Sequence, residues 1–354
     1  MSKQTSLFLK IFLPLLAVVA AVHICIFHAL GRRSDQPSEV SEKTIPNADL
    51  SKLPTPEKTP VPAADPSASV AVAVDAGPAF TTPALPYYDF SSLKRIPADL
   101  QKLSRPGKSG IIVDLSTRKV LWAKNPTAPV PIASLTKLMT ALLLMEDISS
   151  GRLEMTTKLP VTAAATEVER SCVLGMKRGE VYTVEELLAA MMINSHNDAA
   201  AQIAACVAGN VKDFVTRMNT RARELGLSSA AFNSPNGLPQ GKQRLNSLCS
   251  VTDVTRLSEY LMRYPQLLKF CQMKSKKLHT GKVVYSHNNL LRRRPVPGLF
   301  GFKTGYTTKA GFCLSFGVTR KGRRIIGCVA GFPSARDRDE FCRRLIDWAY
   351  STQR

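Results

Sequence analysis

At 354 residues with 44% hydrophobic content, the chain is long enough for one large domain or two small ones around a real core, which excludes a minimal disulfide- or metal-stapled scaffold. Its formal net charge of +21 is concentrated downstream of residue 90, where 41 of the 48 Lys and Arg face 19 of the 27 Asp and Glu. Such an excess draws polyanions, but with no zinc-finger spacing and no basic-aromatic RNA-binding pattern, nucleic acid is not expected as a partner.

Residues 1–10 read as a short tail, placed in the cytoplasm by the chemistry downstream rather than by its own charge. Ile11 to Leu30 is an uncharged apolar run of 20 residues, about the length needed to cross a ~30 Å hydrocarbon layer as a helix. It exceeds the roughly 7–15 residues of a cleavable signal's apolar region, which favours a transmembrane anchor or uncleaved signal over a cleaved one. Lys3 and Lys10 before it and Arg32 and Arg33 after it leave orientation undecided by charge. Residues 31–86, rich in Pro, Ala, Ser and Thr without sustained periodicity, read as a disordered linker.

Residues 87–354 form the expected globular domain. A hairpin pattern opens it, with Gly110 to Leu115, a Ser116-Thr117-Arg118 turn and Val120 to Ala123. Helical patterns follow over 134–147, 183–193 (after the start signal Thr183-Val-Glu-Glu), 196–208 and 211–225. Strand character returns at Gly311 to Val318 and Arg324 to Ala330, and a last helix spans about 335–350. Strands at both ends of a helical middle predict an α/β fold, an antiparallel sheet flanked by helices with an inserted helical lobe. A cleft between sheet and lobe is the natural place for a site.

The cysteines, at 25, 172, 206, 249, 271, 313, 328 and 342, never show CxxC spacing, which argues against zinc or a thioredoxin-like motif. With Cys25 in the apolar segment an odd number remains. Buried thiols are expected, with Cys313 and Cys328 the candidate cross-strand disulfide.

Chemistry is concentrated in three short motifs. Ser134-Leu-Thr-Lys137 puts a hydroxyl and an amine on one helix face, where a partly desolvated lysine near another cation has a lowered pKa and acts as a base. Alone the pattern means little, since about one chance match is expected in a chain this long and Ser91-Ser92-Leu93-Lys94 is another. Ser195-His196-Asn197 follows an apolar helix, where a hydroxyl can relay protons and an amide can hold a carbonyl. Lys303-Thr304-Gly305 precedes a strong strand and offers a charge, a carboxylate-binding hydroxyl and room for a substrate backbone.

Together, in this order, the motifs resemble those of penicillin-binding proteins and serine β-lactamases. Pro131 to Thr140, Gly179 to Leu188, Asn233-Ser-Pro-Asn-Gly-Leu-Pro239 and Lys303 to Leu314 narrow the resemblance to low-molecular-mass serine D-alanyl-D-alanine carboxypeptidases, from about residue 90 onward. It implies the penicillin-binding/serine β-lactamase-like transpeptidase fold and a catalytic set of Ser134 (nucleophile), Lys137 (base), Ser195 (proton relay to the leaving amine) and Asn197 (peptide binding). Lys303, Thr304, Gly305, Tyr306 and Arg338 would bind substrate, the Ser134 and Tyr306 amides forming the oxyanion hole. No cofactor or metal is implied. The implied partners are peptidoglycan stem peptides, β-lactams as covalent inhibitors and the inner membrane through the N-terminal segment. The catalytic domain is then expected on the periplasmic side of a bacterial cytoplasmic membrane, held by a single pass.

Departures from the family pattern are His196 where Gly is usual, Leu248-Cys-Ser-Val-Thr-Asp253 without the customary His, and Phe300 in place of an Asp. DD-endopeptidases cleave crosslinks with the same residues and are the first alternative; a non-catalytic β-lactam sensor is the second. A class A β-lactamase is disfavoured because no Glu occurs between Glu224 and Glu259, and a Ser-His-Asp triad because no Gly-x-Ser-x-Gly elbow is present.

Overall fold

The computed structural model describes residues 87–169 and 171–352. The expected tail (1–10), anchor (11–30) and linker (31–86) lie outside these residues. Among the described residues no helix is long and apolar enough to cross a membrane. The buried helices have 10–13 residues against the ~20 a bilayer needs, and the 17-residue helix that ends the chain carries a charged face. Among the described residues the expectation of a transmembrane helix is therefore not met, and the single-pass inner-membrane localisation and membrane partner drawn from it are not retained.

Helix α1 (Ala98–Ser104) leads into the hairpin β1 (Ser109–Asp114) and β2 (Val120–Lys124). After β3 (Val130–Pro131), a single 3-10 turn (Ala133–Thr136) runs into α2 (Lys137–Ser149). The lobe continues with β4 (Lys158–Pro160), α3 (Ala163–Thr166), β5 (Val181–Thr183), α4 (Val184–Ile193), α5 (Asn197–Ala208) and α6 (Val211–Glu224). Then come β6 (Leu248–Cys249), α7 (Val251–Leu261), α8 (Pro265–Gln272), β7 (Ser275–Lys277), β8 (Val283–Tyr285) and α9 (Asn289–Arg292). The chain returns through β9 (Leu299–Thr307), β10 (Gly311–Arg320) and β11 (Arg323–Phe332) and ends in α10 (Ala335–Ser351).

The main sheet has the order β2-β1-β11-β10-β9 with every pair antiparallel, so the first hairpin docks against the last strand. Side chains alternate between its two buried faces, as a pleat requires. Ile111, Val113, Ile326 and Cys328 join the core shared with α2, α4, α5 and α7, whereas Ile112, Leu314, Phe316 and Val329 join the one shared with Leu100 of α1 and Phe341 and Leu345 of α10. Within the lobe, α5 is buried on all sides over Asn197–Ala205, and its alanines let neighbouring helices approach closely. The start signal at Thr183 is realised as a capping box with Glu186, satisfying two otherwise orphaned amides.

Two expectations change. Lys303-Thr-Gly lies inside edge strand β9 rather than ahead of a strand: Gly301 and Gly305 make the segment look like a turn, yet both have β10 partners. The Cys313–Cys328 disulfide is absent. A register shift between Phe312 and Leu314 leaves Cys328 opposite Ser315 and Cys313 opposite Gly305, and all seven described cysteines are free.

Candidate active site

Ala133 takes φ +47 and opens the 3-10 turn that carries Ser134, so the hydroxyl sits just ahead of α2 rather than within its first turn. The helix behind it is fixed by burial of Leu138, Met139 and Leu142 to Leu144. Two glycines from different segments press on the turn. A Cβ on Gly305 of β9 would lie 3.0 Å from the Ile132 carbonyl and 3.2 Å from the Ser134 nitrogen. One on Gly237 would lie 2.0 Å from the Ala133 carbonyl. Only residues without a side chain allow both backbones to come this near.

Lys137 is completely buried, and its Nζ donates to three oxygens: Ser134 Oγ at 3.0 Å, Asn197 Oδ1 at 2.7 Å and the Asn236 carbonyl at 2.7 Å. Burial first, and the charge of Lys303 second, hold its pKa well below that of an ordinary lysine. Of its partners, the Asn197 and Asn236 oxygens only accept, while Ser134 Oγ can also donate. A neutral amine therefore keeps two N–H bonds to the acceptor-only oxygens and turns its lone pair toward the serine proton.

Ser195, at φ +65 between α4 and α5, and Asn197, the first residue of α5, line the same cleft of about 360 Å³ as Ser134. Asn197 Nδ2 donates to the Ser171 carbonyl at 2.5 Å, leaving one amide hydrogen for a ligand. Thr304, Gly305 and Tyr306 form the β9 wall, with the half-exposed Tyr306 ring stacked on Phe312 at 4.3 Å.

Arg338 on the first turn of α10 also lines the cleft, donating to the Cys313 carbonyl at 3.2 Å and to Asp339 at 2.6 Å. Lys303 does not line it. Its buried Nζ donates to the Thr304 carbonyl at 2.9 Å behind the strand, and burial, with a smaller push from Arg338, lowers its pKa to about 8. Its influence on the cleft is a field rather than a contact. With Lys137, Lys303 and Arg338 around it and no carboxylate among its lining residues, the cleft favours an anion.

The structure adds residues that the motifs did not reveal. Ser171 and Cys172 line the cleft from the loop before β5, tied down where the Asp198 carboxylate accepts from the Leu174 and Gly175 amides at 3.0 and 2.8 Å. His287 lines it too, its pKa lowered chiefly by burial and then by Lys303. His196 is buried at the start of α5 and is not among the lining residues. The Asn236 carbonyl and Gly237 come from the Asn233–Pro239 segment, where Gly between polar and Pro residues was the available signal. Nothing in the sequence marks Cys172.

The profile of the D-alanyl-D-alanine carboxypeptidase family matches residues 99–334. The D-alanyl-D-alanine carboxypeptidase DacF of Bacillus subtilis is 31% identical over 252 residues, covering 71% of this chain and 64% of that protein. A D-alanyl-D-alanine endopeptidase of Pseudomonas aeruginosa is 30% identical over 210 residues, covering 58% and 65% respectively. The chain thus spans less than two thirds of the length of these curated relatives. A crystal structure of PBP3 from Streptococcus pneumoniae, described as a peptidoglycan synthesis regulatory factor, superposes with a TM-score of 0.66 at 31% identity, over 70% of this chain and 72% of that one.

Proposed function

The chain belongs to the D-alanyl-D-alanine carboxypeptidase family, and from that membership we propose that it removes the terminal D-alanine of peptidoglycan stem pentapeptides through an acyl-enzyme. The observation that carries the reading is the three-oxygen cage around Lys137, which directs the amine's one free lone pair at Ser134 Oγ.

In this reading Ser134 Oγ attacks the penultimate D-Ala carbonyl as its proton passes to Lys137 Nζ. The tetrahedral oxyanion is held by the Ser134 and Tyr306 amides, an arrangement whose loss typically costs about 3 kcal/mol of barrier. The proton continues through Ser195 to the departing amine, the C–N bond breaks, and D-alanine leaves. Water then attacks the ester as its proton passes to Lys137, and the acyl C–Oγ bond breaks as Lys137 returns that proton to Ser134, releasing the shortened peptide. Asn197 serves twice, orienting Lys137 through Oδ1 and offering its free amide hydrogen to the peptide. Thr304 and Arg338 hold the substrate's terminal carboxylate, Lys303 strengthens the local positive potential, and Gly305 admits the substrate backbone. β-Lactams acylate the same serine. The catalytic domain is taken as 87–354.

Cleavage of D-Ala crosslinks is a second reading, favoured by the endopeptidase among the relatives. The test is to incubate the full chain with a stem pentapeptide and with a crosslinked dimer and to weigh the products. Release of D-alanine supports the proposal, splitting of the dimer alone supports the second reading, and no turnover of either contradicts both.

A further inference from the structure

The first turns of α10 present two adjoining faces. Ala335 and Arg338 look into the catalytic cleft, while Arg336, Asp339, Glu340 and Arg343 line a second pocket of about 540 Å³. Arg293 and Arg294, just past α9, close that pocket from the opposite side. At 3.6 residues per turn the two sets occupy neighbouring sectors of one helix, and Ala335 to Arg343 rises about 12 Å along its axis. The cleft and this pocket therefore adjoin along one helix, with Arg338 and Asp339 between them.

The pocket's charge is unbalanced. Asp339 is engaged by Arg338 on one oxygen and by Asn289 Nδ2 at 3.1 Å on the other. Glu340 is then the remaining carboxylate facing four guanidinium groups, none of which pairs with an acid among the described residues. Arg343 is spent partly on the Arg294 carbonyl, which joins the two walls. A cluster of like charges lining one pocket is relieved by a bound anion, and guanidinium forks match carboxylate geometry.

We infer that this pocket is an anion exosite that takes the carboxylates of a second stem peptide attached to the one held in the cleft. The inference rests on the peptidase reading for its ligand. Its consequence is a preference for crosslinked wall over an isolated pentapeptide.

Binding separates the two ideas, because it needs no turnover. The full chain carrying Ser134→Ala is titrated calorimetrically with a pentapeptide and with a crosslinked dimer, alone and combined with Arg293→Glu/Arg294→Glu or with Arg336→Glu/Arg343→Glu. The dimer should bind about tenfold more tightly than the pentapeptide at low salt, and each double variant should erase that difference while pentapeptide affinity moves less than about twofold. The two pairs lie on different elements, so misfolding of one, seen in its circular dichroism melt, leaves the other to decide. Equal affinity for both peptides in the parent, or parallel loss of both in the variants, would overturn the exosite. So would polyphosphate binding the pocket more tightly than the dimer without being displaced by it. Failure of the peptidase reading appears elsewhere, as an unmodified chain that neither releases D-alanine nor retains a β-lactam.

Discussion

Gly237→Ala tests whether the Asn236–Gly237 loop sets the position of the nucleophile. The new Cβ would stand 2.0 Å from the Ala133 carbonyl oxygen, 2.5 Å from its carbon and 3.0 Å from Thr136 Oγ1. Since carbon reaches its favourable contact only beyond about 3 Å, one of the two backbones must retreat by about 1 Å. Alanine at φ +83 adds strain of about 1 kcal/mol. The same loop supplies the Asn236 carbonyl that holds Lys137, so the retreat moves nucleophile and base relative to each other. A displacement of about 1 Å in such a pair costs on the order of 100-fold in rate, equivalent to about 2.7 kcal/mol. The second-order rate of acylation by a fluorescent penicillin should fall by about that factor, with a lowered melting temperature. Gly241→Ala is the control: its φ is +68 with nothing within 4 Å, so it should show the strain alone and acylate normally. Acylation by Gly237→Ala within about threefold of the parent would refute the coupling.

The rate of β-lactam acylation should rise with pH as Lys137 loses its proton, well below the usual lysine range, because burial and Lys303 disfavour its charged form. With a carboxylate-bearing peptide, activity should fall again as Lys303 discharges near pH 8, and Lys303→Arg should remove that alkaline limb; a rate that climbs only above about pH 10 would contradict this. Cys172, the exposed thiol among the described cysteines, should be alkylated first and block penicillin binding. Although the residue is exposed, its sulfur is partly covered, which raises its pKa, and donates to the Asn194 carbonyl at 3.1 Å, so labelling read by mass should be faster at pH 9 than at pH 7, and prior acylation of the serine should protect it. Asp198→Asn removes a charged acceptor from the amides of Leu174 and Gly175 and should cost about 2 kcal/mol in urea unfolding, with KM raised more than kcat falls.

What was legible in the sequence is what regular structure encodes. The apolar runs of α2, α4 and α5, the capping signal at Thr183 and the strand patterns of β1, β2, β10 and β11 follow from periodicity and end signals, and the first two motifs stand at the starts of α2 and α5. β9 was hidden by its own glycines, which serve close approach rather than a bend, Gly305 to the Ser134 turn and Gly301 to the Asn288 side chain. Helices α7 and α8 were given no range from periodicity, although Ser250 Oγ caps the first by accepting from the Asp253 amide at 3.1 Å. The cage around Lys137 was only half visible, because the Asn236 contribution is a backbone carbonyl, and backbone atoms of irregular loops leave no pattern in side-chain order. Cys172 and His287 reach the cleft from loops positioned by distant contacts, Asp198 in the first case, so no local spacing announced them.

The claim on which the rest depends is that Ser134 is the nucleophile and Lys137 its base. The direct measurement is intact-mass and peptide-mass analysis of the full chain after brief exposure to a β-lactam. The account predicts one adduct, on the peptide containing Ser134, absent from Ser134→Ala and slowed by several orders of magnitude in Lys137→Ala. An adduct that persists in Ser134→Ala, or that maps to Ser195 or Cys172 in the parent, would contradict it.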